Sequence, residues 1–432
     1  ADRYRLAISE LSSVEALGPY RVRFTYDEPF FRGFTVAAGF QVIPKNYYEQ
    51  FVADADAAES YNNSTGHLVG TGPYVLADQE DWAADRPLVL RQNPRYWGDV
   101  PAPFAEIRYS IIQNAAARNK AFRDGLLDLY GAPPEEYEQM LEDESVMAMA
   151  QNFEYLSPVA SYVYIAWQQR DEPFGEDGSP FKDRRVREAM TLLIDRQRIV
   201  NQVYKGYGFV SDGPYHPLLR QHNPEISPRQ RDVERANRLL DEAGFIDTDG
   251  NGIRNRPDGG ADFEFSLVYP AGSETYQRAM TIAKQGIAEG GVEMTQEPTD
   301  FRIMLGFLDT DDFQAVSLAW TSALEIDVRQ MFHSDQIGKG ENFMHYSNPE
   351  LDRLIDEARR TVDESARMEI WHQVHRILYE DQPYTFMFRR EALVFVNRRI
   401  QNVQQTQVGL NLGGGSIPME WSNTDAFPEL TR

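Results

Sequence analysis

The chain has 432 residues, of which 42% are hydrophobic and 12% aromatic, so it can bury more than one hydrophobic core. Its formal net charge of −24 argues against nucleic acid or an anionic membrane as a partner, because either requires a basic face. Cysteine is absent, which excludes disulfides, thiolate metal sites and a cysteine nucleophile. The acidic excess with few lysines is typical of salt-rich habitats, and a GC-rich genome would also favour arginine over lysine.

The first third of the chain has a mixed α and β pattern. Residues 20–26, YRVRFTY, alternate polar and apolar side chains, which predicts a half-buried strand. Apolar runs at 88–90 and 107–112 predict two more strands, and residues 115–127 predict a helix.

The middle of the chain predicts a strand at 161–167, SYVYIAW, and a helix over Val186–Val203 capped by Asp183. Strand patterns at 263–269 and 292–296 flank a helical pattern at 274–289. A strand, a helix and a strand in this order predict a βαβ unit.

Two later segments predict antiparallel amphipathic helices. Ser347-Asn-Pro-Glu350 matches a capping box, and apolar residues then recur at helical spacing from Leu351 to Ala358. Asp363 is placed to cap the second helix, and Pro383 ends it before a strand at 384–388.

The segment from Val316 to Asp327, VSLAWTSALEID, begins as a buried strand and ends on Trp320, Thr321 and Ser322. An aromatic ring followed by hydroxyls fits a strand end at the wall of a ligand cleft. It also fits a core tryptophan beside a turn, and the segment alone favours this second interpretation.

Two groups of residues have the composition of a metal site. Asp247, Asp249 and Asn251 place oxygen ligands at alternate positions like the first half of a calcium loop, although the twelfth position is Asp258 instead of glutamate. An Asx-rich turn explains the same residues. His372 and His375 are three residues apart, but no third ligand is close in the sequence, which favours a structural pair.

No catalytic motif stands out. The sequence has no Gly-x-Ser-x-Gly elbow, no P-loop and no complete dinucleotide fingerprint. Carboxylates are too numerous for any pair to be singled out, so no general acid or base is assigned from the sequence.

Several motifs together resemble the family 5 extracellular solute-binding proteins, which are receptors of ABC importers for dipeptides, oligopeptides and nickel. They occur in the family's order over essentially the whole chain. The matching segments are Gly70-Thr-Gly-Pro-Tyr74, Asn93-Pro-Arg-Tyr-Trp-Gly98, Phe122-Arg-Asp-Gly-Leu-Leu-Asp128, Pro180-Phe-Lys-Asp-Arg-Arg-Val-Arg-Glu-Ala-Met190 with Ile194-Asp-Arg196, Leu239-Leu-Asp-Glu-Ala-Gly-Phe245 and Tyr346-Ser-Asn-Pro-Glu-Leu-Asp352.

The resemblance implies an α/β, bilobed fold like that of periplasmic binding proteins, with mixed sheets flanked by helices. It assigns residues 161–383 to lobe II, and residues 1–160 plus 384–432 to an incomplete lobe I. It implies a receptor that binds a peptide-like or other amphipathic solute by hinge closure and delivers it to the permease. Such a receptor is expected not to be an enzyme and to need no cofactor, calcium aside. The alternatives are an oligosaccharide receptor or a sensor on the same fold, and a carboxylate-dependent hydrolase.

Members of the family carry a long segment before the region that matches Ala1. We therefore expect an N-terminal segment that is missing here, through truncation, through processing or as a separate chain. The implied location is periplasmic or extracytoplasmic. One version of this expectation has a lipid anchor at the absent N-terminus. The implied partners are the solute and the membrane permease.

Two positions depart from the pattern of the peptide-binding members. Those members place an Asp for the peptide ammonium where this chain has Ala323, and some place an Arg for a carboxylate where it has Ser317. Leaving an ammonium without a counter-charge is costly, so a free peptide N-terminus is disfavoured unless Glu325 or Asp327 replaces the lost charge. The predicted ligand contacts are Trp320, Thr321, Ser322, Tyr164, Tyr215 and Asn342.

Overall fold

The computed structural model describes residues 8–40, 42–52, 54, 56–58, 61, 69–77, 86–112, 114–257, 260–412 and 418–423. The strands are β1 Leu11–Gly18, β2 Arg21–Tyr26, β3 Tyr74–Leu76, β4 Leu88–Gln92, β5 Glu106–Tyr109, β6 Leu129–Gly131, β7 Ala150–Tyr155, β8 Tyr162–Trp167, β9 Gly208–Val210, β10 Glu264–Pro270, β11 Glu293–Thr299, β12 Ala315–Trp320, β13 Tyr384–Arg390, β14 Ala392–Asn397, β15 Ile400–Gln401, β16 Gln405–Thr406, β17 Gly409–Leu410 and β18 Ser422–Asn423.

The α-helices are α1 Gly33–Gly39, α2 Lys45–Tyr48, α3 Ala115–Arg123, α4 Pro134–Glu142, α5 Glu144–Met149, α6 Arg184–Leu193, α7 Arg196–Arg198, α8 Val233–Glu242, α9 Glu274–Ala288, α10 Phe301–Thr310, α11 Arg329–Phe332, α12 Pro349–Arg360 and α13 Glu364–Asp381. In the part of the chain that the structure describes, no helix is both long and apolar enough to cross a lipid bilayer.

The chain forms two compact units. The first contains the described residues of 1–38 together with 156–391, and the second contains those of 39–155 together with 392–432. The division predicted from the sequence is different, because it places residues 1–160 and 384–432 together in one lobe. The assignment of lobes in a complete receptor stays a prediction.

The first unit is built on a six-stranded sheet with the strand order β11-β10-β12-β8-β13-β9. Strands β10 and β11 pair in parallel through the crossover helix α9, so the predicted βαβ unit is confirmed. Strands β12 and β13 both pair antiparallel with β8, which lies between them.

Strand β8 is buried along its whole length, and its side chains alternate between two hydrophobic clusters. Val163, Ile165 and Trp167 pack into one cluster, beside helices α6 and α9. Tyr162 and Tyr164 enter the other cluster, beside helices α12 and α13. The period of two along an extended strand therefore decides which core each residue joins.

A β-bulge interrupts the pairing of β13 with β8. Phe386 lies opposite Tyr164 and Phe388 lies opposite Val163, so one extra residue, Met387, is inserted in β13. Met387 and Phe388 both enter the core that contains Val163. The shift places Arg389 opposite Tyr162, with its guanidinium carbon 5.0 Å from the centre of that ring.

The helix starts show where local patterns succeed and where they fail. The Asp183 and Asp363 carboxylates accept backbone N–H groups at the starts of α6 and α13, as predicted. The predicted capping box is wrong by one residue, because Asn348, and not Ser347, accepts the amides of the first turn. The helix predicted over 186–203 ends at Leu193, because Ile194 is extended and Asp195 caps a new turn.

The second unit contains two three-stranded antiparallel sheets, β3-β4-β5 and β6-β14-β7. Helices α3 and α4 pack on the second of these sheets through their aromatic residues. The ring of Phe395 on β14 lies 5.1 Å from the ring of Tyr137 and 6.2 Å from that of Phe122. This unit therefore has its own aromatic core.

Replacing Phe181 tests the core of the first unit. Its fully buried ring lies 4.8 Å from Trp167 and 5.2 Å from Phe265. We expect Phe181→Ala to lower the free energy of unfolding by about 3–5 kcal/mol, because it leaves a cavity among rigid rings. Denaturant unfolding measures this loss. The matched control Phe301→Ala, at a ring that is 54% exposed, should cost less than about 1 kcal/mol, and an equal loss would contradict the assignment.

Candidate functional site

Three aromatic rings form a stack where β12, β8 and β13 lie side by side. The Tyr164 ring lies 4.2 Å from the ring of Tyr384 at 12° and 6.0 Å from that of Trp320 at 9°. The Trp320 indole N–H donates to the Tyr384 hydroxyl over 3.4 Å. Tyr164 is only 1% exposed, whereas Trp320 is half-buried. Trp320 is therefore the member of the stack that a solute can reach.

The chain leaves the sheet directly after Trp320, and the next residues are accessible. Thr321 and Ala323 are exposed, and Ser322 is half-buried. Ser317, at the position where some peptide receptors have an Arg, is fully buried, and its hydroxyl donates to the Tyr164 carbonyl over 2.9 Å. The predicted residues 320–322 thus lie together at the accessible end of β12.

The carboxylates that follow this segment are bound to arginines. Both oxygens of Glu325 accept from Arg367, over 2.6 and 3.1 Å. Asp327 accepts from Arg359 over 3.0 Å. Each carboxylate already has a cationic partner within its own unit, so neither replaces the charge lost at Ala323.

A buried arginine reaches the same segment from β13. Arg389 is 1% exposed, and its Nη1 donates to the Ala160 carbonyl over 2.6 Å and to Ser322 Oγ over 3.0 Å. Its Nη2 donates to the Pro214 carbonyl over 2.6 Å. Burial lowers the pKa of Arg389 to about 10, against the opposite effects of Tyr162 and Asp212. Sequence reasoning missed this residue, although an arginine beside the apolar run of β13 was a usable signal.

The other two predicted contacts lie inside the first unit. Asn342 is fully buried, and its amide donates to the His333 and Tyr346 carbonyls while its oxygen accepts the Tyr346 amide. It therefore shapes the local backbone. Tyr215 is also buried, and its ring packs edge-on against His375 at 5.4 Å. Ligand contact by either residue stays a prediction.

One group of side chains has the composition of a transition-metal site. Asp212, His222 and His375 bring one ligand atom each within 4.8 Å of the others. His222 Nε2 lies 3.1 Å from Asp212 Oδ2, and His375 Nε2 lies 3.6 Å from Asp212 Oδ1. The sequence missed this group because its members are far apart along the chain.

The hydrogen bonds of His375 argue against a metal at this group. Its Nδ1 accepts the Asn223 backbone N–H over 3.1 Å, so in the neutral ring the proton is on Nε2, which faces Asp212. A metal at Nε2 would require the proton to move to Nδ1, against the Asn223 N–H. Burial alone would raise the pKa of Asp212, but the hydrogen bond from His222 and the nearby His375 ring lower it to about 2. The group is therefore a carboxylate held by imidazoles.

The candidate calcium loop is folded as an Asx-rich turn. Asp247 accepts the amides of Gly250 and Gly252, and Asn251 Oδ1 accepts the Ile253 amide. These backbone hydrogen bonds lower the pKa of Asp247. Asp258 lies outside the described residues, so the calcium interpretation stays a prediction.

Zinc should not stabilise the protein through Asp212, His222 and His375. We expect excess zinc chloride to shift the Tm of the wild type and of His222→Gln by the same amount, because the His375 tautomer blocks ligation. Thermal unfolding with zinc, and with EDTA as a control, measures the shift. A distinctly larger increase in the wild type would show that the group binds the metal.

Acid should destabilise the fold through His216. This residue is buried, and burial, followed by the charges of Arg389 and His222, lowers its pKa to about 4. The folded protein thus favours neutral His216. Its stabilising contribution is complete above the unfolded pKa of about 6.5 and is lost as the pH falls from there towards 4.

We expect His216→Asn to make the decline in unfolding free energy between pH 6.5 and 4 shallower, because Asn keeps an acceptor for the Leu218 amide but does not titrate. Denaturant unfolding across this pH range is the measurement. The control Phe209→Leu alters the ring that packs edge-on against His216 and should lower stability similarly at every pH. An unchanged slope in His216→Asn would contradict the prediction.

Comparison with known proteins places these features in a family. The sequence model described as "Bacterial extracellular solute-binding proteins, family 5 Middle" matches residues 2–336. The oligopeptide-binding protein AppA of Bacillus subtilis is 28% identical over 389 residues, which cover 88% of this chain and 67% of that protein. Protein XP55 of Streptomyces lividans is 30% identical over 320 residues, which cover 74% of this chain and 55% of that protein. The chain thus spans between 55% and 67% of the length of these relatives.

Solved structures agree on the fold. The structure of B. subtilis AppA with a nonapeptide has a TM-score of 0.82 at 25% identity and covers 97% of this chain and 79% of that chain. NikZ of Campylobacter jejuni, solved with Ni(L-His), has a TM-score of 0.78 at 21% identity over 97% of this chain and 80% of that chain. The predicted α/β class, like that of periplasmic binding proteins, is confirmed. The chain belongs to the bacterial extracellular solute-binding proteins of family 5.

Proposed function

We propose that this chain is the solute-binding part of an extracytoplasmic receptor for an ABC importer. It binds a peptide-like or other amphipathic solute and releases it chemically unchanged. The observation that carries the proposal is the half-buried Trp320 ring, supported by Tyr164 and Tyr384 and followed directly by Thr321 and Ser322.

This arrangement suits reversible recognition. A rigid aromatic face offers apolar contact at little cost in side-chain entropy, and adjacent hydroxyl groups fix orientation by hydrogen bonds. The relative solved with a nonapeptide supports a peptide-like solute for this chain.

The family supports the remaining parts of the proposal. We assign the location as extracytoplasmic, in line with the family description, and a lipid anchor would belong to a preceding segment. Delivery to the membrane permease requires closure of the two lobes over the solute, and residues 161–383 would form most of one of them. No catalytic residue is assigned.

Two other functions compete with this proposal. An oligosaccharide receptor on the same fold would use the same indole and hydroxyl groups. A hydrolase would need two carboxylates free to act as acid and base across a bound polymer. Glu325 and Asp327 do not meet this need, because Arg367 and Arg359 hold them.

Native mass spectrometry of the purified protein tests the function. We expect a stoichiometric complex with a co-purified solute, or with peptides of about four to nine residues, and recovery of that solute with unchanged mass. Trp320→Ala should weaken binding about tenfold or more, because aromatic stacking contributes about 0.5–1.5 kcal/mol in addition to the apolar area that the ring buries. Leu324→Ala, at a side chain that is 63% exposed, is the control. A cleaved solute would refute the receptor.

A further inference from the structure

We infer that the segment Trp320–Ser322 recognises the acceptor end of its solute, a carbonyl or carboxylate oxygen, through a Ser322 hydroxyl that Arg389 turns into a donor. This inference rests on the proposed function and specifies the class of solute. A solute that presents a free ammonium to this segment is excluded.

The first step is the position of the Arg389 guanidinium. The bulge at Met387 turns Arg389 onto the face of the sheet that carries Tyr162, Tyr164 and Trp320. Its protein acceptors are the carbonyls of Ala160 and Pro214 and the Ser322 hydroxyl, all of which are uncharged. Among the described residues, no carboxylate oxygen lies within 4 Å of this guanidinium, and its Nε has no hydrogen-bond partner.

The second step is the direction of the Ser322 hydrogen bond. Its Oγ accepts from Arg389 Nη1 over 3.0 Å, so the hydroxyl proton points away from the guanidinium. No acceptor for this proton occurs among the described residues. A donor polarised by a cation attracts a carbonyl or carboxylate oxygen and repels an ammonium.

The third step concerns the negative charges near this segment. Glu325 and Asp327 are bound to arginines. Among the described residues, two more carboxylates act near this segment: Glu341 raises the pKa values of Tyr164 and Tyr384, and Asp212 opposes the lowering of the Arg389 pKa. Glu341 is half-buried, whereas Arg389 is bonded directly to Ser322. Glu341 is therefore the carboxylate that would favour an ammonium at this segment, and the experiment must test its effect.

A series of capped peptides tests the inference. Tetra- and nonapeptides of mixed sequence are prepared with a free, an N-acetylated and an N-succinylated terminus, which present a positive, a neutral and a negative end. We expect the acetyl and succinyl forms to bind at least about tenfold more tightly than the free amine, as measured by calorimetry and native mass spectrometry.

Variants locate this preference. Ser322→Ala should reduce the ratio of acetyl to free-amine affinity about tenfold. Ala323→Asp should reverse the ratio, because it adds a carboxylate beside the donor. Leu324→Asp adds the same charge one residue later and should leave the ratio unchanged. Arg389→Lys should keep the preference for the acetyl form, and Arg389→Met should lose it. If Arg389→Met does not fold, Ser322→Ala still tests the inference.

Two results would overturn the inference in different ways. If free-amine peptides bind most tightly and Glu341→Gln abolishes that preference, Glu341 is the counter-charge and the receptor function stands. If no peptide of any series binds, the proposal of a peptide-like solute fails, and the inference fails with it.

Discussion

The alternation of side chains along β8 is the constraint on which the first unit depends. Residues 162–167 are buried on both faces, so each side chain belongs to one of two cores and a shift by one residue would exchange all of them. Strands β12 and β13 bond to its two edges and inherit that register. The Tyr164 ring is thereby stacked between Tyr384 and Trp320. The aromatic face offered to a solute is thus an extension of one core.

The bulge at Met387 uses the same register to place a charge. If β13 continued past Phe386 in regular register, with no bulge, Phe388 would lie opposite Tyr162, and Arg389 would point to the other face of the sheet. With it, Arg389 lies over the Tyr162 ring and donates to two carbonyls and one hydroxyl. Burying an arginine without a bonded carboxylate is costly. The carbonyl acceptors and the aromatic ring face that contact the guanidinium are therefore needed to offset that cost.

The sequence predicted what local patterns encode. The βαβ unit, the Asp183 and Asp363 caps and the β13 strand follow from periodicity and capping residues, and the structure confirms them. The N-cap at Asn348 was misplaced because two adjacent polar residues both suit that role. Asp212 and Arg389 were missed because their partners are brought close by the fold and not by sequence spacing.

The small side chain at Ser317 is explained by its neighbours. The Ser317 hydroxyl lies 2.7 Å from the hydroxyl of Tyr276 and is fully buried, so an arginine at this position would have to displace that ring. The cation near this strand end is instead supplied from β13, by Arg389. Burial lowers the pKa of Arg389, and the charges of Tyr162 and Asp212 oppose that lowering. The Asp212 carboxylate is itself hydrogen-bonded to His222. Because Arg389 donates directly to Ser322 Oγ, the charge bonded to the accessible strand end is the positive one.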